Sequence, residues 1–210
     1  PPDAHHSLLG GKYLSKKDKI LEAGCGLGQW VFYLFKKGFD IVGIDNAEKA
    51  IKKVKKIYPV LKIKNADLLK LPFKRKIFDS VLCLGLLEHF EADKTFFQAL
   101  KEIKRVMKNS GLLLCSVPYF NPLRMIKNLL GFYPKKGSFY QYAFEKKEFC
   151  KKLEKMNFKI LKVIPFDSYN GIKKEIFPKL GGKLYRSLKP AREGKSSDVN
   201  DMREIALKKY

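Results

Sequence analysis

The sequence Glu22-Ala23-Gly24-Cys25-Gly26-Leu27-Gly28 constrains this chain more than any other. It follows a short apolar run, Lys19 to Ala23, and precedes a helix-like stretch from Gln29 to Lys37. Alternate glycines let the backbone turn sharply and let a ligand lie against it. The helix that follows presents free N–H groups and the positive end of its dipole. The unit is therefore strand, ligand-accessible turn, helix.

The same alternation continues. Asp40 to Ile44 is dense in β-branched residues and predicts a second strand. Ala47 to Ile57 predicts a helix, with Ala50, Ile51, Val54 and Ile57 at three- and four-residue spacing. Val60 to Ile63 predicts a third strand and Leu68 to Phe73 a loop or single turn. Phe78 to Leu84, apolar almost throughout, predicts a fourth strand with helices over both faces. Asp93 to Lys108 is an amphipathic helix, and Leu112 to Val117 a fifth strand. The expected fold class is α/β: a doubly wound, mostly parallel sheet with right-handed crossovers.

Pro118 to Ala143 interrupts this rhythm with four Tyr, three Phe, three Pro and two Gly. It reads as an aromatic-rich insertion after the fifth strand, with one short helical piece from Leu123 to Leu130. Glu145 to Met156 returns to helix, and Lys159 to Phe166 predicts a sixth strand. Beyond Gly171 the pattern decays, and no seventh strand is evident. The expected organisation is one domain over 1–188, with a lid-like insertion at 118–144 and a polar, mobile tail at 189–210.

Composition excludes several classes. No apolar run reaches the ~18–20 residues of a membrane span, and Pro1 to His6 lacks a secretory pattern. Cys25, Cys83, Cys115 and Cys150 form no C-x-x-C pair, so reduced thiols, a cytoplasmic setting and no metal are expected. The formal charge is +23. Clustered cations suit nucleic acid, but a Lys-rich surface of the kind found in hyperthermophiles gives the same number. The basic residues are spread over every helix, and only six are Arg, so a solvated surface is the expected reading.

A dinucleotide loop needs G-x-G-x-x-G, with its third small residue at position 29. Here position 29 is Gln and the third glycine falls at 28. This spacing, with Glu22 two residues before Gly24, resembles the E/D-x-G-x-G-x-G loop of class I S-adenosylmethionine-dependent methyltransferases. Asp45, 17 residues after Gly28, can accept both hydroxyls of a ribose; alone, such an Asp reads as a helix cap. Asn65-Ala66-Asp67-Leu68 offers a carboxylate to an exocyclic amine and Leu68 to a ring face, with an Asx turn as the plainer reading. The segment from Phe78 to Phe90, ending Leu87-Glu88-His89, is similar to the fourth-strand region of the family's small-molecule, ubiquinone-biosynthesis-like branch.

The resemblance covers some 150 residues. It implies S-adenosyl-L-methionine as cofactor, with S-adenosyl-L-homocysteine as product. It implies a binding set of Glu22, Gly24, Cys25, Gly26, Gly28, Asp45, Asn46, Ala66, Asp67, Leu68 and Leu84. His89 is a candidate general base, and Glu88 is a candidate to orient it or to bind a metal. The expected acceptor is a small or lipid-like molecule, with Tyr119, Phe120, Phe132, Tyr133, Phe139, Tyr140 and Tyr142 walling its pocket. An RNA or protein acceptor is the alternative. Against it, the sequence after the fourth strand lacks N/D-P-P-Y/F, and Cys83 is not preceded by Pro. A binding protein without activity is disfavoured by the joint presence of the glycine loop, Asp45 and Asp67.

Overall fold

The computed structural model describes residues 13–90, 92–118, 144–165 and 202–209. Seven strands form one sheet: β1 (Lys19–Ala23), β2 (Asp40–Asp45), β3 (Ile63–Asn65), β4 (Phe78–Leu84), β5 (Met107–Pro118), β6 (Phe158–Pro165) and β7 (Met202–Lys209). Their order is β3-β2-β1-β4-β5-β7-β6. The pairs among β1 to β5 are parallel, and β7 runs antiparallel between β5 and β6. The chain order reverses at β1, between β2 and β4. In open α/β sheets, ligands bind at the carboxyl ends beside such a switch.

Four helices cover the sheet: α1 (Gln29–Lys36), α2 (Glu48–Ile57), α3 (Asp93–Val106) and α4 (Lys146–Lys155). Successive strand residues face opposite sides, so the sheet feeds two cores. On one face Ile20, Ile41, Leu82 and Leu114 pack with Val31 and Leu34 of α1 and Ile51 and Val54 of α2. On the other, Leu21, Val42, Val81 and Leu113 pack with Phe96, Leu100 and Ile103 of α3 and Phe149 and Leu153 of α4. Each fully buried Leu or Phe contributes about 1.5–3 kcal/mol.

Three expectations from the sequence are corrected. The third strand is Ile63–Asn65, not Val60 to Ile63; Val60 is 66 % exposed, and Leu61, though buried, sits in a turn closed by its N–H on the Tyr58 carbonyl. The helix expected to reach Lys108 ends at Val106, and β5 begins at Met107. The carbonyls of Arg105 and Val106 accept the N–H groups of Lys76 and Ile77, so the lead-in to β4 takes over the helix terminus. β5 then bulges: Met107 pairs Phe78 and Leu112 pairs Ser80. Finally, a seventh strand exists. Residues 202–209 pair with both β5 and β6, so the expected polar tail does not extend over them. Residues 189–201 and the insertion, 119–143, lie outside the described residues.

Candidate cofactor-binding site

The glycine loop joins β1 to α1 at the carboxyl edge. Gly24, Gly26 and Gly28 all take positive φ, at 77°, 50° and 68°, where a Cβ is strained. Two of them serve different ends. A Cβ on Gly28 would stand 2.8 Å from Cδ1 of Ile63 and 3.2 Å from Cγ1 of Val54, so this glycine permits close packing of α2 and β3. A Cβ on Gly26 would meet nothing within 4 Å. That position faces open space, as a ligand-facing turn requires. The Gly24 and Cys25 N–H groups donate to the Ile44 carbonyl at 2.9 and 2.8 Å, tying the loop to β2.

Asp45, half-buried at the end of β2, is the hinge of the site. Its Oδ2 accepts the Gly26 N–H at 2.8 Å and its Oδ1 accepts the Ala47 N–H at 2.8 Å. One carboxylate therefore fixes the glycine loop and the entry to α2. Each oxygen retains lone-pair capacity, since a carboxylate offers about four acceptor sites. Asn46 is exposed beside it. Asn65 Nδ2 and the Ala66 N–H both donate to the Asp45 carbonyl at 3.0 Å, so β3 delivers Ala66, Asp67 and Leu68 to the same edge.

Asp67 caps a 3-10 turn, Leu68–Lys70, through Oδ1 and the Leu69 N–H at 2.9 Å. The Asx turn is thus present, and the other carboxyl oxygen accepts nothing among the described residues. Leu68 is buried. Beyond the turn, Arg105 clamps the chain from α3. It donates to the carbonyls of Phe73 and Leu71 at 2.7 and 2.8 Å and forks onto Glu102. Glu102 in turn accepts the Leu71 N–H at 2.7 Å. The sequence reading missed this clamp; the only signal was an Arg and a Glu three apart on the amphipathic helix.

Glu22 is 3 % exposed, and its Oε2 has no hydrogen-bond partner. Burial pushes its carboxyl up to about 8, against the lowering effect of the Val31 N–H, with the nearby Asp45 charge adding to the rise. Burial also pushes the Cys25 thiol up, with Glu22 and Asp45 contributing. No lysine or arginine pairs with either carboxylate among the described residues. The loop therefore sets the Asp45 carboxylate beside a buried Glu22 carboxyl that holds its proton near neutrality. It suits hydroxyl donors and offers no cation to a pyrophosphate, so the residues present fit a nucleoside without phosphates.

Leu84 is half-buried at the end of β4. After it, Leu87–His89 forms a second 3-10 turn. Glu88 is fully buried with both carboxyl oxygens unpartnered, and burial pushes it up to about 7. The expectation that Glu88 orients His89 is not met: its oxygens accept no hydrogen bond. His89 is half-buried on the same turn. Among the described residues no His/Cys/Asp/Glu group could hold a metal.

Residues 21–115 match the family described as "Methyltransferase domain". A probable S-adenosylmethionine-dependent methyltransferase of Mycobacterium tuberculosis is 31 % identical over 99 residues, 47 % of this chain and 35 % of that protein. Just under half of the chain, residues 21–115, is thus similar to the methyltransferase domain of S-adenosylmethionine-dependent methyltransferases. An uncharacterised protein of Methanocaldococcus jannaschii is 40 % identical over 114 residues, 53 % of this chain and 46 % of that protein. A human eEF1A lysine and N-terminal methyltransferase is 32 % identical over 115 residues, 50 % of this chain and 16 % of that protein. The methyltransferase domain thus spans less than half the length of these relatives. A crystal structure of a SAM-dependent methyltransferase from Methanosarcina mazei shares the fold, with a TM-score of 0.71 at 20 % identity over 96 % of both chains.

Proposed function

We propose that the chain transfers the methyl group of S-adenosyl-L-methionine to a small or lipid-like acceptor. The observation that carries this reading is the glycine turn itself: its middle glycine opens onto free space, between the Asp45 carboxylate and the buried Glu22 carboxyl, with no cation among the described residues to hold a pyrophosphate. In this reading Glu22, Gly24, Cys25, Gly26 and Gly28 hold the methionine half. Asp45 accepts the ribose hydroxyls with the lone pairs left by its two backbone bonds, beside Asn46. Ala66, Asp67 and Leu68 hold the adenine, and Leu84 lines the methyl-donor end.

The bound sulfonium supplies an already activated methyl group, so most of the work left to the protein is positioning and exclusion of water. The turn at Leu87–His89 stands where an acceptor would approach. Glu88, its carboxyl raised to about 7, can take a proton near neutrality, and His89 stands beside it on the same turn. The insertion enters this picture through its two anchors: the Phe144 N–H donates to the Pro118 carbonyl at 3.0 Å, at the carboxyl end of β5. The segment thus leaves and returns at the ligand edge, as a lid and acceptor pocket would. A cytoplasmic setting fits this reading. No helix among the described residues is long and apolar enough to cross a membrane.

A protein or RNA acceptor is the second reading, favoured by the +23 charge. Methyl transfer from radiolabelled S-adenosyl-L-methionine, screened against small-molecule, protein and RNA fractions, separates the two. Label entering only macromolecules would overturn the first. Calorimetry showing NAD bound more tightly than S-adenosyl-L-homocysteine would overturn the cofactor assignment.

A further inference from the structure

Starting at Leu27 and Gly28 of the glycine loop and running away from it, α1 and α2 enclose a groove of about 440 Å³. One wall carries Gln29, Phe32, Tyr33 and Lys36; the other carries Lys53 and ends at Tyr58. Apolar groups that a closed protein would hide are exposed here: Leu27 is 52 %, Ile57 54 % and Tyr58 38 % exposed. The rings of Phe32 and Tyr58 lie 4.6 Å apart and tilted by 34°, bridging the two helices at one end. Lys36 stands 5.9 Å from the Phe32 ring centre.

The charge around this groove is one-sided. Between positions 36 and 64 there are nine lysines and three acidic residues, Asp40, Asp45 and Glu48. Two of the acids are engaged, Glu48 with Lys52 and Asp40 with Lys62, and Asp45 is bonded to the glycine loop. Lys49, Lys53 and Lys56 are exposed and fall at i, i+4 and i+7 of α2. That spacing puts them in one row on the helix, opposite the buried Ile51 and Val54. Among the described residues no carboxylate pairs with these three or with Lys36. Aromatic faces in a trough lined by Lys36 and Lys53, with Lys49 and Lys56 exposed on the adjoining helix surface, are the combination that holds a nucleic-acid single strand: rings stack the bases and ammonium groups follow the phosphates. An acidic peptide would satisfy the cations but would leave the rings without flat partners.

We propose that the α1–α2 groove binds single-stranded RNA, with Phe32, Tyr33 and Tyr58 as the stacking surface and Lys36, Lys53 and Lys56 on the phosphates. The groove adjoins the glycine loop at Gly28, but none of these six residues belongs to the proposed cofactor contacts, and the proposal stands whichever acceptor is methylated. The probe is a fluorescein-labelled oligouridylate of about twelve nucleotides, titrated by anisotropy over a salt series. The wild-type protein should bind it, with affinity falling as salt rises. Lys36→Gln/Lys53→Gln/Lys56→Gln should reduce the salt slope by about 2, at roughly 0.7 per phosphate contact on a single strand. Tyr58→Leu, which leaves the charge unchanged, should weaken binding at least about fivefold. Removing the same charge from α4, by Lys146→Gln/Lys147→Gln/Lys151→Gln, should change affinity less than about twofold. Affinity for S-adenosyl-L-homocysteine should stay constant in every variant, which also reports that each is folded. An equal loss from the α4 variant would mean diffuse charge and overturn the proposal. So would an unchanged Tyr58→Leu, or polyglutamate displacing the RNA at equal charge.

Discussion

Burying two carboxyl groups without full partners makes this protein sensitive to rising pH in a calculable way. Glu22 sits at about 8 and Glu88 at about 7, against an ordinary 4.5. In both, the folded state holds the proton more tightly than the unfolded chain does. The stability this confers is complete below pH 4.5 and is lost as pH rises to the folded value. At 1.36 kcal/mol per pH unit, the loss approaches roughly 5 kcal/mol for Glu22 by pH 8 and roughly 3 kcal/mol for Glu88 by pH 7. Glutamine keeps the shape of each side chain and cannot ionise. Urea unfolding of the wild type, Glu22→Gln and Glu88→Gln at pH 5, 7 and 9 isolates each group, because other titrations cancel in the difference. The variants should match the wild type within about 1 kcal/mol at pH 5 and exceed it by several kcal/mol at pH 9. The Glu88 difference should level off about one pH unit before the Glu22 difference. A stability difference independent of pH would refute the reasoning, since it would mean that these carboxyls find water or cations in solution.

Asp45→Ala should weaken S-adenosyl-L-homocysteine at least about tenfold by calorimetry, as the loss of charged hydrogen bonds worth about 1.5–3 kcal/mol requires. Because it also frees the Gly26 and Ala47 N–H groups, urea unfolding should show a loss of about 1–2 kcal/mol in stability. Arg105→Ala touches no proposed ligand contact, yet it releases the carbonyls of Leu71 and Phe73 and the partner of Glu102. It should cost about 2–3 kcal/mol of stability and weaken cofactor binding through the Asp67–Leu68 turn; Arg105→Lys should rescue little, because one ammonium cannot reproduce the fork. Replacing residues 119–143 with a short Gly-Ser linker should abolish acceptor turnover while S-adenosyl-L-homocysteine affinity stays within a few-fold; full turnover would end the lid assignment.

The sequence showed the strands whose neighbours are helices on both faces. β4, Phe78–Leu84, carries its apolar residues on consecutive positions, and its bounds match the expectation. Periodicity failed where tertiary pairing decides. Met107 and Lys108 read as the end of a helix, yet they become strand because Phe78 is there to pair with Met107. β7 has little alternation of its own and is specified by the two strands on either side of it. A local pattern contains neither fact.

The site divides along the same line. Gly26 and Asp45 were legible because the chemistry demands those residue types at that spacing. Legibility did not extend to what they do before any ligand arrives. Asp45 was weighed as a ribose acceptor against a cap, as if the two excluded each other. Its two oxygens already accept one backbone N–H each, from the glycine loop and from the entry to α2. That bonding is what presents the remaining lone pairs at a fixed place, so the structural role prepares the proposed binding role. The same holds for Asp67, whose cap on Leu69 sets the turn that brings Leu68 to the edge. Glu88 is the reverse case. The sequence placed it beside His89 and suggested a partnership, but burial without a partner gives it a proton affinity near neutrality on its own. A base assigned to this turn must therefore be tested at Glu88 as well as His89. Acceptor turnover against pH should lose its inflection near 7 in Glu88→Gln; an inflection surviving both that variant and His89→Gln would exclude the turn as the source of the base.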